Sequence, residues 1–185
     1  MSSVSGDRDT GMRIRVASLQ LFAERGYANT SLRELAERLG LTKAALYYHF
    51  RSKEDILRSL IEPVLDQIDT LLDRHAPLEP NASLSTFLSE YIDILVANRP
   101  LITVLASDPS TWVRAGIGDR VRIQEQRQHA VLAGAMPNRR RELRAWSALG
   151  ALRLGALQLG PDDPAQARHD IIEATMAALG DPPSA

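Results

Sequence analysis

The chain has 185 residues, 44% of them hydrophobic and 24% charged, which bounds it to one domain or two small ones with length enough for a sizeable core. It contains no cysteine, excluding disulfides, thiolate metal sites and thiol redox sensing; no apolar run is long enough to cross a membrane and the N-terminus lacks a signal-peptide apolar segment, so a soluble cytoplasmic protein is expected. The net charge of −1 is unevenly spread: up to Arg58 ten Lys/Arg meet seven Asp/Glu (+3), leaving −4 for the remainder, a contrast that suits a module presenting one end to phosphate.

Residues 1–11 are rich in Ser, Gly and Asp and are predicted to be a disordered tail. Arg8 within it is either an arm for a minor groove or part of a frayed terminus. Ile14, Ala17, Leu21 and Phe22 then mark one face of an amphipathic helix that ends at Gly26. At Ser31 a capping box begins, with Glu34 three residues on. Leu32, Leu35, Ala36 and Leu39 follow at i, i+3, i+4 and i+7, and Gly40 stands where a helix ends at positive φ. Leu41 plugs the corner. Thr42 is an N-cap for a second helix, Lys43 to His49, with Leu46 inward and Phe50 closing the unit. Helix, glycine turn, helix is the helix-turn-helix pattern, whose second helix enters the major groove.

The outer face of that second helix carries Lys43, Ala44, Ala45, Tyr47, Tyr48 and His49. Ala44 and Ala45 are short enough to let the backbone approach base edges, and their methyls can meet a thymine methyl. Lys43 reaches guanine or a phosphate. Tyr47, Tyr48 and His49 suit phosphate oxygens, which fix register rather than sequence. Ser52 caps the next helix and places Lys53 near its start, where free amides also attract phosphate. The DNA-facing set is therefore Thr30, Ser31, Arg33, Thr42, Lys43, Ala44, Ala45, Tyr47, Tyr48, His49 and Lys53. The alternative is an ordinary helical corner with Tyr47 and Tyr48 as packing aromatics, but two adjacent tyrosines on a short helix cannot both face one core.

These residues resemble the DNA-binding signature of the TetR family of transcriptional regulators. The likeness is carried by Gly26-Tyr27, Thr30-Ser31-Leu32, Leu35-Ala36, Leu39-Gly40-Leu41, Leu46-Tyr47-Tyr48-His49-Phe50 and Ser52-Lys53-Glu54. It covers about the first third of the chain; beyond that only the helical layout agrees. The resemblance implies a first helix that braces the helix-turn-helix, a fourth that links it to a ligand-binding core, and a C-terminal four-helix bundle shared with a second subunit.

From Lys53 to about His75 the apolar pattern is helical, with Pro63 inside it. Proline there deletes the bond to the Ser59 carbonyl and is expected to kink the helix, either on the coupling path or as a static fit to the core. Residues 77–81 form a loop, and Phe87, Leu88, Tyr91, Ile92, Leu95 and Val96 mark a helix from about Ser83 to Asn98. A short apolar helix runs from Pro100 to Ala106. After a break at Asp108-Pro109 one longer helix is predicted to about Ala135, its start weakened by Gly116 and Gly118. Gln124 and Gln128 interrupt its apolar face, with His129 alongside. A polar group facing a core needs a partner, which a ligand could supply. Tyr91, Leu95, Ile102, Trp112, Gln124, Gln128 and His129 are the candidate pocket residues; the alternative leaves Gln128 and His129 facing solvent and Trp112 in the core.

Asn138 opens a helix whose basic first turns, RRRELR, are a solvated face or a nucleic-acid patch. Its later part is rich in small residues that let another helix approach. Asp163-Pro164 starts the last helix. Ala148, Leu149, Leu152, Gly155, Ala156 and Leu159, with Ile172, Thr175, Met176 and Leu179, are the candidate dimer interface, the alternative being packing within one chain. Arg153 has Glu173 as a candidate partner.

No Gly-rich phosphate loop, GxSxG, HExxH or paired-ligand spacing occurs, and the four histidines are scattered, so neither catalysis, a cofactor nor a metal is expected. The expected fold is all-α: a disordered tail (1–11), a three-helix helix-turn-helix DNA-binding domain (12–52), a larger helical ligand-binding and dimerisation core (53–180) and a C-terminal tail (181–185). The expected function is sequence-specific regulation of transcription, as a repressor. Its expected partners are a palindromic operator in double-stranded DNA, a second copy of the chain and a small-molecule effector that releases the DNA. Two alternatives stand beside it: a ligand-independent regulator or architectural protein, and a helical small-molecule-binding protein or enzyme with a vestigial helix-turn-helix.

Overall fold

Caps and glycines divide the chain before any packing is considered, and the helices follow them. The computed structural model describes the backbone of residues 3–75, 82–108, 110–134, 138–160, 163 and 165–180, and the side chains of these except 3–6 and 82–83. Every regular element among the described residues is an α-helix: α1 (Ser3–Arg25), α2 (Leu32–Leu39), α3 (Lys43–His49), α4 (Lys53–His75), α5 (Ala82–Ala97), α6 (Arg99–Ser107), α7 (Ser110–Arg114), α8 (Gly118–Ala133), α9 (Arg139–Gln158) and α10 (Ala165–Leu179). They fall into two units, residues 1–63 with 100–118 and residues 64–99 with 119–185. The boundary thus lies at Pro63 inside α4, not at the start of that helix. The α-helix is unbroken through Pro63.

In the first unit α1, α2, α3 and the start of α4 close around Ile14, Ala17, Leu21, Leu35, Ala36, Leu46, Phe50 and Ile56. Leu32, Leu39, Leu41 and Leu60 pack against this core. Two ion pairs join the outer sides of α1 and α2: Arg25 with Glu34 at 3.0 Å and Arg38 with Glu24 at 2.8 Å. The predicted tail is corrected here: α1 begins at Ser3, not after Gly11. Composition argues for disorder, but contact decides. Gly11 is buried with the His49 ring beside it, and Asp7 lies 3.6 Å from His49 Nε2, so these early turns have a partner.

The single helix predicted from Asp108-Pro109 to Ala135 is two. Asp108 caps α7, accepting from the Ser110 amide at 3.0 Å. Gly116 at φ +69° ends it, and the Ile117 amide turns back to the Trp112 carbonyl at 3.1 Å. Arg58 of α4 then donates from Nε to the Ala115 carbonyl at 2.9 Å. Glycine at positive φ terminates a helix rather than merely weakening it.

The second unit packs the C-terminal half of α4 with α5, α8, α9 and α10. Phe87, Leu88, Tyr91 and Ile92 of α5 are buried, as are Leu65, Ile68, Leu71 and Leu72 of α4. Along α4 and α8 an ionic ladder forms: Arg120 meets Asp69 at 2.8 Å, and Arg127 meets Asp69 at 3.1 Å and Asp73 at 2.5 Å. Gln124, on the rung between, donates to the Leu65 carbonyl at 2.8 Å.

The candidate dimer face also needs correction. Ala148, Leu149, Leu152 and Ala156 of α9 and Leu159 at its C-cap, with Thr175 and Leu179 of α10, are buried within the protomer. Gly155 faces Ile171, whose side chain stands 3.1 Å from where a Cβ would sit, so the small residues let α9 and α10 of one chain approach each other. Ile172 and Met176 are half-buried. The outward apolar face of α9 is instead Leu143, Trp146, Gly150 and Leu154, the last 68% exposed. Residues 77–81, predicted to form a loop, lie outside the described residues, as does Pro164 at the predicted start of the last helix.

Candidate nucleic-acid interface

The site is assembled from local signals. Ser31 Oγ accepts from the Glu34 amide at 3.2 Å while Glu34 Oε2 accepts from the Ser31 amide at 2.9 Å, so the capping box closes at the start of α2. Gly40 ends α2 at φ +64°, with the Leu41 amide on the Ala36 carbonyl at 2.9 Å. Thr42 Oγ1 accepts from the Ala45 amide at 3.1 Å and starts α3. Leu46, the buried residue of α3, anchors it to the core and so decides which face turns outward.

That outer face carries Lys43, Ala44, Tyr47 and Tyr48, all exposed, with Tyr48 77% accessible and Tyr47 41%. The Lys43 ammonium lies 5.7 Å from the Tyr47 ring centroid. Ala45 is half-buried. Thr42 and Ser31 are exposed but already hold helix amides, and Arg33 is exposed and paired with Glu37 at 2.9 Å. Arg51, absent from the predicted set, is exposed one turn beyond Tyr47 and Tyr48. Its signal in the sequence was a cation at i+8 from Lys43.

Three predicted residues stand differently. Thr30 is buried, its hydroxyl donating to the Gly26 carbonyl at 3.0 Å and the Leu21 carbonyl at 3.4 Å. His49 is half-buried at the end of α3, edge-on to Tyr48 and beside Asp7. Lys53 turns inward. Its ammonium donates to the carbonyls of Tyr27 at 2.7 Å, Thr30 at 2.9 Å and Ala28 at 3.4 Å, and burial lowers its pKa from the ordinary lysine value.

The candidate pocket residues divide between the units. Ile102 and Trp112 are half-buried in α6 and α7 of the first. In the second, Tyr91 donates from its hydroxyl to Gln128 Oε1 at 2.9 Å, and Arg153 Nη2 donates to the same oxygen at 2.7 Å. Arg153 Nη1 meets Glu125 at 2.7 Å, which corrects the pairing with Glu173; that residue lies 3.3 Å from His169. Gln124 and Gln128 are buried rather than solvent-facing, and their partners are internal. Leu95 is buried, and His129 stacks on Trp146 at 4.5 Å while its Nε2 lies 3.0 Å from the Glu142 carbonyl.

Comparison with known proteins places this geometry. Residues 14–60 match the sequence profile described as "Bacterial regulatory proteins, tetR family". The biofilm operon icaADBC HTH-type negative transcriptional regulator IcaR of Staphylococcus epidermidis is 36% identical over 76 residues, which are 40% of this chain and 41% of IcaR. The HTH-type transcriptional regulator AcrR of Shigella flexneri is 31% identical over 88 residues, 48% of this chain and 41% of AcrR. The chain therefore spans well under two thirds of these curated relatives. The crystal structure of the TetR family transcriptional regulator PfmR from Thermus thermophilus superposes with a TM-score of 0.68 at 26% identity, covering 91% of this chain and 98% of PfmR. Among the described residues no helix is long and apolar enough to cross a membrane. The helix-turn-helix that α2 and α3 build thus matches the tetR family of bacterial regulatory proteins over residues 14–60, and the all-helical fold that carries it is similar to that of a TetR family regulator.

Proposed function

We propose that the protein is a sequence-specific DNA-binding repressor of transcription. It acts as a homodimer on a palindromic operator, and a small molecule held in the helical core releases it. One observation carries the reading: α3, capped at Thr42 and anchored through Leu46, turns Lys43, Ala44, Tyr47 and Tyr48 outward together. Alanine allows close approach to base edges, lysine supplies a donor, and two phenols reach phosphate oxygens. The helix-turn-helix is then the DNA-binding part, and the second unit, residues 64–99 with 119–185, the effector and dimerisation core. The similarity to IcaR, a negative transcriptional regulator, supports repression.

A single recognition helix reads a half-site, so a twofold partner is needed. The outward stripe Leu143, Trp146, Gly150 and Leu154 on α9 suits a second copy of itself. Half-sites lie about 34–36 Å apart or a multiple of that, so a small change in the separation of two α3 helices ends binding. Because α4 runs from the first unit into the second, it is the element through which an effector acts.

The test is binding of the purified protein to the DNA flanking its own coding region, with salt varied. A shift specific for one palindrome, with two protomers per site, is expected. Weak, sequence-blind and salt-labile binding alone would sink the reading. A rigid covalent fusion of the two protomers should abolish effector release; retained release would remove the separation mechanism.

A further inference from the structure

Lys53 has three ammonium protons, and three carbonyl oxygens stand around it: Tyr27 at 2.7 Å, Thr30 at 2.9 Å and Ala28 at 3.4 Å. The Tyr27 ring closes a further side, its centroid 4.3 Å from Nζ. The next residue holds the other end of the same tyrosine, since the Tyr27 hydroxyl donates to Glu54 Oε1 at 3.0 Å. The first turn of α4 thus grips the turn between α1 and α2 by its backbone and by its aromatic ring. That turn sets where α2 begins. Thr30 bonds back to Tyr27 and Gly26, and Ser31, the cap of α2, follows at once.

We propose that Lys53 is a positioning residue for sequence recognition, not a phosphate ligand: it locks the α1–α2 turn to the first turn of α4 and so fixes where α2, and with it α3, stands. This rests on the DNA-binding reading above. A phosphate contact and a clamp differ in what their loss does. A phosphate contact contributes to every sequence alike and carries one counterion's worth of salt dependence. A clamp changes the angle at which α3 is presented, so it alters the specific complex alone. The sequence permits both readings, because a lysine at a helix start has the right charge for either.

The experiment uses the full chain in two arms. In the first, Lys53→Met, which keeps the stem and removes the ammonium, is titrated with its operator and with a random duplex across a salt series. The circular dichroism spectrum confirms that the variant is folded. Operator affinity is expected to fall about tenfold, with random-duplex affinity and the salt slope nearly unchanged. Equal loss on both duplexes, with the slope reduced by about 1, overturns the proposal. Should Lys53→Met not fold, Tyr27→Phe, which cuts the Glu54 tie alone, takes its place and is expected to lose operator affinity selectively; unchanged operator affinity overturns.

The second arm needs no DNA. The chain has only two lysines, Lys43 and Lys53, so acetic anhydride labelling read by mass spectrometry compares them directly. Lys43 is expected to react and Lys53 to stay protected in the free protein. Equal reactivity overturns the clamp. If the wild-type chain discriminates no DNA sequence, the DNA reading fails, and this arm alone decides whether the clamp exists.

Discussion

Gly40 lies at φ +64° with open space where a Cβ would stand, so Gly40→Ala isolates backbone strain from any clash. A loss of about 1 kcal/mol is expected, measured as a lowered unfolding midpoint, since a side chain in the left-handed region costs about that much. Lys43 and Tyr48 separate by a different readout. Lys43→Ala should relax base preference at one operator position, whereas Tyr48→Ala should weaken operator and random duplexes alike. Equal loss for Lys43→Ala would show that it touches phosphate only. Thr30→Val should cost about 1 kcal/mol through its buried hydroxyl and leave the salt slope of DNA binding unmoved.

At the scale of elements, the Arg153 network is where α5, α8 and α9 meet. Removing the guanidinium takes the donor from the Glu125 carboxylate and leaves the Gln128 carbonyl with the Tyr91 hydroxyl alone. Arg153→Met should therefore destabilise by about 2 kcal/mol, while Arg153→Met with Glu125→Gln should recover part of that loss in a double-mutant cycle. This pairing also shows what a sequence conceals. Ser31 with Glu34, Gly40, Thr42 and Ser52 were legible because a cap is written within three or four residues of itself. The partner of Arg153 was not, because Glu125 and Glu173 are both acids on other helices and only the tertiary register chooses between them. The same holds for α9. Small residues at spacings of three and four announce a close helix, but they cannot say whether it is the chain's own α10 or another copy's. The surroundings of Lys53 were hidden for a related reason: its charge was visible and the carbonyls around it were not.

For the molecule as a whole, acid should weaken the ladder between α4 and α8. Burial alone would raise the pKa of Asp69, but hydrogen bonds from Arg120 and Gln124 outweigh it and hold the carboxyl below its ordinary value of 3.8. Its contribution is therefore complete above that value and is lost as pH falls through the lower, folded one. Asp69→Asn should flatten the decline of stability below about pH 4, compared by denaturant titration at several pH values. The assembly has its own test. Leu154→Asp on the outward stripe should yield a folded monomer by light scattering and abolish operator binding; a variant that stays dimeric would move the interface elsewhere.

The two tryptophans are distributed one to each unit, Trp112 in α7 and Trp146 in α9. Intrinsic fluorescence therefore carries two separable reporters. With Trp146→Phe the emission follows the helix-turn-helix unit alone, and with Trp112→Phe it follows the core. Trp146 also lies face to face with an imidazole, a ring whose protonation quenches indole emission, on the very stripe expected to meet a second copy. The chain thus carries a built-in optical probe of association, readable without any label.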